Sequence, residues 1–67
     1  MAKILLNGEP RDVGDDLTVI ALLEASNYAQ RRVAVEVNHE IVPKSQHARR
    51  VLRDGDRVEI VQAMGGG

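Results

Sequence analysis

The chain has 67 residues, no cysteine and a formal net charge of −1, from nine basic and ten acidic residues. This length allows one small domain, and the lack of cysteine excludes disulfides, thiolate metal sites and catalytic thiols. The balanced charge gives no reason to expect nucleic-acid binding. No apolar run reaches the roughly 18 residues of a membrane span. The apolar stretch at the start of the chain is too short for a secretory signal. These two observations predict a cytoplasmic protein.

The first elements in chain order are predicted to form a β-hairpin. Residues 3–6 are mostly apolar and predict a strand. Asn7-Gly8 follows, and both residue types accept the positive φ angles of a type I′ turn. A return strand is predicted at residues 11–13, with Pro10 near its start, where a missing amide is tolerated.

A helix is predicted to begin at Thr18 and to end near Asn27. The Thr18 hydroxyl can accept a hydrogen bond from an unpaired amide of the first turn. Val19, Leu22 and Leu23 recur at the spacing of one helix face, which predicts that this face packs on a sheet. Asn27 suits the left-handed conformation that often follows the last helical turn.

Three further strands are predicted in the second half of the chain. They are residues 33–37, 40–42 and 57–61. Residues 44–50 are polar without periodicity and predict a loop that could include one helical turn. His39 and His47 are predicted to be surface residues, because no cysteine or second histidine stands at metal-ligand spacing. Asp54-Gly55-Asp56 predicts a turn rather than a cation site, because glycine between aspartates is typical of turns.

The predicted order is therefore β-β-α-β-β-β, which indicates an α+β fold with a mixed sheet and one main helix packed across it. The first and last strands are strongly apolar and are expected to lie together in the middle of the sheet. This is the ubiquitin-like β-grasp arrangement. The domain is predicted to cover residues 1–61, and residues 62–67 are predicted to form a flexible tail.

The tail ends in Gly65-Gly66-Gly67. Glycine has no side chain, so such a tail is thin and can enter a narrow channel. If Gly67 is the C-terminus, its carboxylate is the functional group, and that group is inert until another enzyme activates it. The tail therefore favours a carrier over an enzyme. The alternative is a chain end without function, such as an expression scar.

A partner-docking patch is predicted on the face of the sheet away from the helix. Strand alternation places Leu5, Ala34, Val61 and Ala63 on that face, and Met64 continues towards the tail. Apolar residues beside a reactive tail indicate a docking surface.

Several stretches of the chain together resemble the ThiS family, the ubiquitin-like sulfur carriers of thiamin biosynthesis. They are residues 4–8, 17–19, 35–38, 41–44 and 52–64, followed by the glycines. The sharpest stretch is Leu-Arg-Asp-Gly-Asp-Arg-Val-Glu-Ile-Val at residues 52–61. No single stretch is specific to the family. The order of the stretches, the short length and the glycine end are specific to it when taken together. One departure is His47, where the family often has an aromatic residue.

The resemblance implies a function for the tail. A ubiquitin-activating-enzyme-like adenylyltransferase would use ATP to convert the Gly67 carboxylate into an acyl adenylate, and a sulfur donor would convert that into a thiocarboxylate. Thiazole synthase would then take the sulfur. Gly65 and Gly66 would let the tail reach these enzymes. The chain would be a protein co-substrate, would bind no cofactor or metal itself, would contact neither nucleic acid nor membrane, and would be a monomer when free.

Other interpretations remain open from the sequence. They are a molybdopterin-type carrier, a carrier for another acceptor such as tRNA or an amino-acid pathway, a ubiquitin-like modifier joined to lysine amines through Gly67, and a plain binding module with an irrelevant tail. The sequence indicates neither the sulfur donor nor whether the tail is trimmed before use.

Overall fold

The structure, a computed structural model, describes residues 1–28 and 31–62. Its elements are β1 Ala2–Leu6, β2 Glu9–Val13, α1 Val19–Ala25, β3 Val33–Val37, β4 Glu40–Ile41, a 3-10 turn at Lys44–Gln46 and β5 Arg57–Gln62. The predicted order of strands and helix is confirmed, and the polar loop does hold one helical turn. Strand β5 includes Gln62, one residue beyond the strand that the sequence predicts.

The strands form one five-stranded sheet in the order β2-β1-β5-β3-β4. The first and last strands lie side by side at its centre and run parallel, with Leu5 opposite Arg57 and Leu6 opposite Val58. The other neighbours are antiparallel. The predicted central position of β1 and β5 is therefore confirmed, and the mixed sheet with one helix is a β-grasp fold.

Two tight turns have the backbone of type I′ hairpins. Asn7 and Gly8 join β1 to β2 with φ angles of 50° and 86°, and Asn38 and His39 join β3 to β4 with φ angles of 54° and 68°. Such turns match the twist of the strands they connect. The Asn7 side chain also reaches β5, where its Oδ1 accepts the amide hydrogen of Ile60 at 2.8 Å. The first hairpin is thus tied to the central strand.

Helix α1 begins and ends as the sequence predicts. The Thr18 hydroxyl accepts the amide hydrogen of Ala21 at 3.2 Å, which satisfies one unpaired donor of the first turn. Asn27 takes the left-handed conformation after the last turn, with φ of 65°. Leu22 faces the sheet and is fully buried, whereas Ile20 on the same helix is 41% exposed.

The buried hydrophobic cluster between helix and sheet is aliphatic within the described residues, and Tyr28 packs against it partly buried. Its buried members are Ala2, Ile4, Val13, Val19, Leu22, Leu23, Val35, Val37, Val42, Leu52, Val58 and Ile60. On β3, Val33 is half-buried against the same cluster, so the predicted inward side of this strand is confirmed. The inward positions predicted for β5, Val58 and Ile60, are also confirmed.

His47 is buried, with 6% of its surface exposed, and our prediction of a surface histidine was wrong. Its Nε2 lies 3.0 Å from the carbonyl oxygen of Val42, so the ring can donate to that acceptor. The loop around it closes on the start of the helix: the Ile20 amide donates to the His47 carbonyl at 3.0 Å, and the Val19 amide donates to the Arg50 carbonyl at 2.9 Å. These backbone hydrogen bonds hold the polar loop against the core, and His47 is held there with it.

The helix contact with the sheet should dominate stability. We expect Leu22→Ala to lower the free energy of unfolding by about 2–5 kcal/mol, because it leaves a cavity in the core. A domain of this size has a net stability on the order of 3–5 kcal/mol, so much of this variant should be unfolded. Urea titration followed by circular dichroism measures the effect. Ile20→Ala on the same helix is the control and should change the unfolding free energy by under about 1 kcal/mol; equal losses would contradict the packing described.

The two histidines should differ in the same measurement. We expect His47→Asn to lower the free energy of unfolding by about 1–3 kcal/mol, because it removes a buried ring and its hydrogen bond to Val42. His39→Asn keeps a residue type that accepts positive φ and should change stability by less than about 0.5 kcal/mol. The unfolding free energies of the two variants are compared by urea titration in the presence of a chelator. A loss at His39 as large as that at His47 would contradict the burial of His47.

Candidate functional site

The sheet face opposite the helix, here called the outer face, holds the residues predicted to contact a partner. Because side chains alternate along a strand, the residues between buried ones point to this face. On β5 the buried residues are Val58 and Ile60, and on β3 they are Val35 and Val37. The outer-face residues of the three central strands are Lys3, Leu5, Ala34, Glu36, Arg57, Glu59 and Val61. The predicted outer position of Leu5, Ala34 and Val61 is therefore confirmed.

The structure brings only two of these apolar residues together. Ala34 lies directly opposite Val61 in the β3–β5 register, and Val61 is 55% exposed. Leu5 pairs instead with Arg57, four positions away along β5, which corresponds to about 13 Å. Glu59 lies between the two. Among the described residues of the predicted patch, Leu5 is therefore separated from Ala34 and Val61.

Ile41 is an outer-face residue that our sequence analysis missed. It lies opposite Glu36 in the β3–β4 register and is 62% exposed. This makes it a diagonal neighbour of Ala34, at roughly 7–8 Å. We define the apolar patch of the outer face as Ala34, Ile41 and Val61. A strand of two residues is too short for its alternation to predict from the sequence which face Ile41 lies on.

Leu5 contributes to a separate surface groove near the first hairpin. The groove is lined by Leu5, Asn7, Gly8, Arg57 and Glu59. Its lining is mixed, with one apolar side chain between polar and charged ones. Leu5 is half-buried there, so it presents less apolar surface than Val61 does.

The predicted reactive tail lies beyond the end of β5. Ala63, Met64 and the glycines Gly65, Gly66 and Gly67 fall outside the described residues. The last described residue, Gln62, is opposite Val33 in the register and follows Val61 directly. The last described residue therefore belongs to a central strand and lies next to the apolar patch.

The Asp54-Gly55-Asp56 segment is a turn, as predicted. One oxygen of Asp54 accepts the amide hydrogen of Lys3 at 2.8 Å, and one oxygen of Asp56 accepts from the Asn38 side chain at 2.9 Å. Gly55 has a φ angle of 89°, which favours glycine. Both carboxylates are thus engaged in holding the turn between β1 and the second hairpin.

One cluster of possible ligands was not predicted. Glu36, His39 and Glu59 each offer a ligand atom, and these atoms all lie within 4.8 Å of one another. From the sequence we weigh cysteine and histidine spacing and the Asp54-Gly55-Asp56 segment, and we do not group these three residues. The three residues come from β3, a turn and β5, so only the strand register brings them together.

Within residues 1–28 and 31–62, no helix is long and apolar enough to cross a membrane. The mixed sheet and the helix packed on one of its faces, as the described residues show them, define a small ubiquitin-like β-grasp domain. The model of the ThiS family matches residues 4–67. The chain belongs to the ThiS family.

Comparison with known proteins agrees with this family. The chain is 34% identical to the sulfur carrier protein ThiS of Escherichia coli, covering 97% of this chain and 98% of that protein. The crystal structure of the thiamine biosynthesis protein ThiS from Geobacter metallireducens superposes with a TM-score of 0.84 at 37% identity, covering 97% of this chain and 99% of that one.

A different kind of relative is much longer. The chain is 49% identical over 65 residues to a thiazole synthase of Paramagnetospirillum magneticum, covering 97% of this chain but only 20% of that protein. A thiazole synthase of Magnetococcus marinus is also similar, at 38% identity with the same 20% coverage. The chain thus spans a fifth of the length of these two relatives.

Proposed function

We propose that this chain is a sulfur carrier protein of thiamin biosynthesis, a co-substrate rather than an enzyme. The observation that carries the proposal is the family match, which extends from residue 4 to residue 67 and so includes the terminal glycines. The full-length similarity to the Escherichia coli sulfur carrier protein supports it.

The proposed chemistry takes place at the Gly67 carboxylate. A carboxylate resists nucleophilic attack, because attack adds charge to a group that is already anionic. In an adenylyltransferase that binds ATP, the carboxylate would attack the α-phosphate and release pyrophosphate. Sulfur at the sulfide level would then form the new carbon–sulfur bond as the bond to AMP breaks. The product is a thiocarboxylate.

The composition suits this role. With no cysteine in the chain, no side-chain thiol is available to hold transferable sulfur as a persulfide. Gly67 has no Cβ to hinder attack at its carbonyl, and Gly65 and Gly66 let an extended backbone pass through a tight channel. The nucleotide and the catalytic groups would belong to the partner enzyme, so this chain needs no cofactor of its own.

We propose thiazole synthase as the sulfur acceptor. Two relatives named thiazole synthase contain a stretch similar to this entire domain within a protein about five times as long. Covalent linkage of two interacting domains raises their effective concentration. A domain related to this chain is therefore found physically joined to a thiazole synthase, which supports an interaction between the separate proteins.

The apolar patch Ala34, Ile41 and Val61 is proposed to dock the activating enzyme and the acceptor. Val61 and Ile41 are both more than half exposed. Burial of such side chains favours association, and Val61 is directly followed by Gln62, the last described residue before the tail. Ala63 and Met64 are proposed to extend this contact towards the tail. Leu5 would contribute through the separate groove.

The thiocarboxylate can be detected by intact mass. The protein is incubated with an activating enzyme, ATP and a sulfur source, and a thiol-directed alkylator is added last. We expect an ATP-dependent alkylated species whose adduct maps to Gly67, since the chain has no cysteine. The alkylator is needed because oxidation of Met1 or Met64 adds nearly the same mass as replacing oxygen by sulfur.

A Gly67→Val variant is the control for this experiment, because a branched side chain should hinder attack at the terminal carbonyl. No adduct on the unmodified sequence, with an activating enzyme proven competent on another carrier, would refute the proposal. Isopeptide-linked conjugates in lysate would instead indicate a ubiquitin-like modifier.

Docking can be tested separately from the chemistry. We expect Val61→Asp to slow adenylation about tenfold or more, because a desolvated charge in the interface costs over about 1.4 kcal/mol. Leu5→Asp should slow it less. The measurement is pyrophosphate release at limiting carrier concentration. Ile20→Asp is the matched control, since Ile20 is exposed on the helix side; a folded Val61→Asp variant with the unaltered rate would contradict the docking role.

A further inference from the structure

We propose that Glu36, His39 and Glu59 form a binding site for a divalent transition-metal ion, of which Zn²⁺ is the simplest probe. The site lies on the outer face and uses none of the tail chemistry. Its ligand atoms, one from each residue, all lie within 4.8 Å of one another.

The two glutamates place two negative charges next to each other, which favours the binding of a cation. Glu36 is directly opposite Glu59 in the antiparallel β3–β5 register, and both are half-buried. Like charges at directly opposed positions of a sheet destabilise the pairing. Among the described residues, neither carboxylate forms an ion pair with a basic side chain. A divalent cation between them would replace this repulsion by attraction.

His39 is held over the glutamates by an anchored turn. The preceding residue, Asn38, donates its amide hydrogen to the Arg57 carbonyl at 2.8 Å, and its Oδ1 accepts the Arg57 amide hydrogen at 2.9 Å. Its Nδ2 donates to Asp56 at 2.9 Å. Because these bonds fix the turn to β5, little order has to be gained when His39 binds a ligand.

The donor set determines the class of metal. One imidazole nitrogen and two carboxylate oxygens suit Zn²⁺ and similar ions, whereas Ca²⁺ and Mg²⁺ prefer oxygen ligands alone. Zinc bonds of about 2.0–2.2 Å place neighbouring ligands roughly 3.5 Å apart, so small side-chain rotations would close the cluster around the ion. Three protein ligands leave a fourth position open to water or to a group from a partner.

Arg57 is a nearby charge that opposes the metal. Its Nη1 lies 3.5 Å from Nε2 of His39, so the guanidinium contacts the proposed ligand. A cation at this distance lowers the affinity for a second cation by direct repulsion. Removing it should therefore strengthen metal binding, although Arg57 supplies no ligand.

The site also adjoins the apolar patch. Ile41 lies directly opposite Glu36, and Val61 is two positions from Glu59 on the same face of β5. A metal bound here would sit beside any partner that covers the patch. The metal site itself does not depend on the proposed function, and its test requires no activity.

The test is titration of metal-free protein with ZnCl₂, followed by isothermal calorimetry and by backbone amide NMR. We expect one equivalent to bind, with the largest shifts in β3, β5 and the Asn38-His39 turn. His39→Asn, Glu36→Gln and Glu59→Gln should each weaken binding by roughly tenfold or more. Asn at position 39 tolerates the positive φ, and Gln removes the repulsion between the glutamates, so these variants are expected to fold.

Glu40→Gln is the matched control, because it removes one negative charge from the exposed end of the same hairpin and leaves the ligand set intact. Its affinity should stay within about twofold of the unmodified protein, and Arg57→Gln should bind more tightly. The proposal is overturned if the unmodified protein shows no saturable binding at millimolar Zn²⁺. It is equally overturned if His39→Asn binds as tightly or if the shifts map elsewhere.

Discussion

The parallel pairing of β1 with β5 is the constraint on which the rest of this structure depends. Parallel neighbours cannot be joined by a tight turn, so the chain between them must cross over. Here the chain between them contains β2, the helix, the second hairpin and the polar loop. It places the helix on one face, moves β2 and β4 to the edges, and leaves the other face open. Leu5 opposite Arg57 and Leu6 opposite Val58 set the register from which these consequences follow.

The closed face owes its stability to fitting small aliphatic side chains around a short helix. The chain has no phenylalanine or tryptophan, and its one tyrosine, Tyr28, packs partly buried against the aliphatic cluster. The imidazole of His47 is buried beside the Val42 carbonyl, and the backbone around it satisfies the first amides of the helix. A polar loop thereby becomes part of the core, because its polar groups find partners there rather than in water.

In the proposed function, the outer face and the tail have different roles. A carrier needs a terminal group that a partner can reach, and a surface by which the partner holds the domain. Gln62, the last described residue of the central strand β5, directly follows Val61, which lies opposite Ala34. Charge on the same face is uneven, since Glu36 and Glu59 meet across the strands while Ile41 and Val61 remain apolar.

The sequence by itself determined the elements and their inward sides. Asn7-Gly8 marked a turn, Thr18 the helix start, and alternation on β3 and β5 the buried faces, because each is a local property of the backbone or of its spacing. The glycine end likewise pointed to a carrier. Tertiary structure alone decided the burial of His47, the separation of Leu5 from Val61, the addition of Ile41 to the patch and the meeting of Glu36, His39 and Glu59. These depend on strand register and loop closure, which join residues far apart in the chain, and no local pattern encodes those distances.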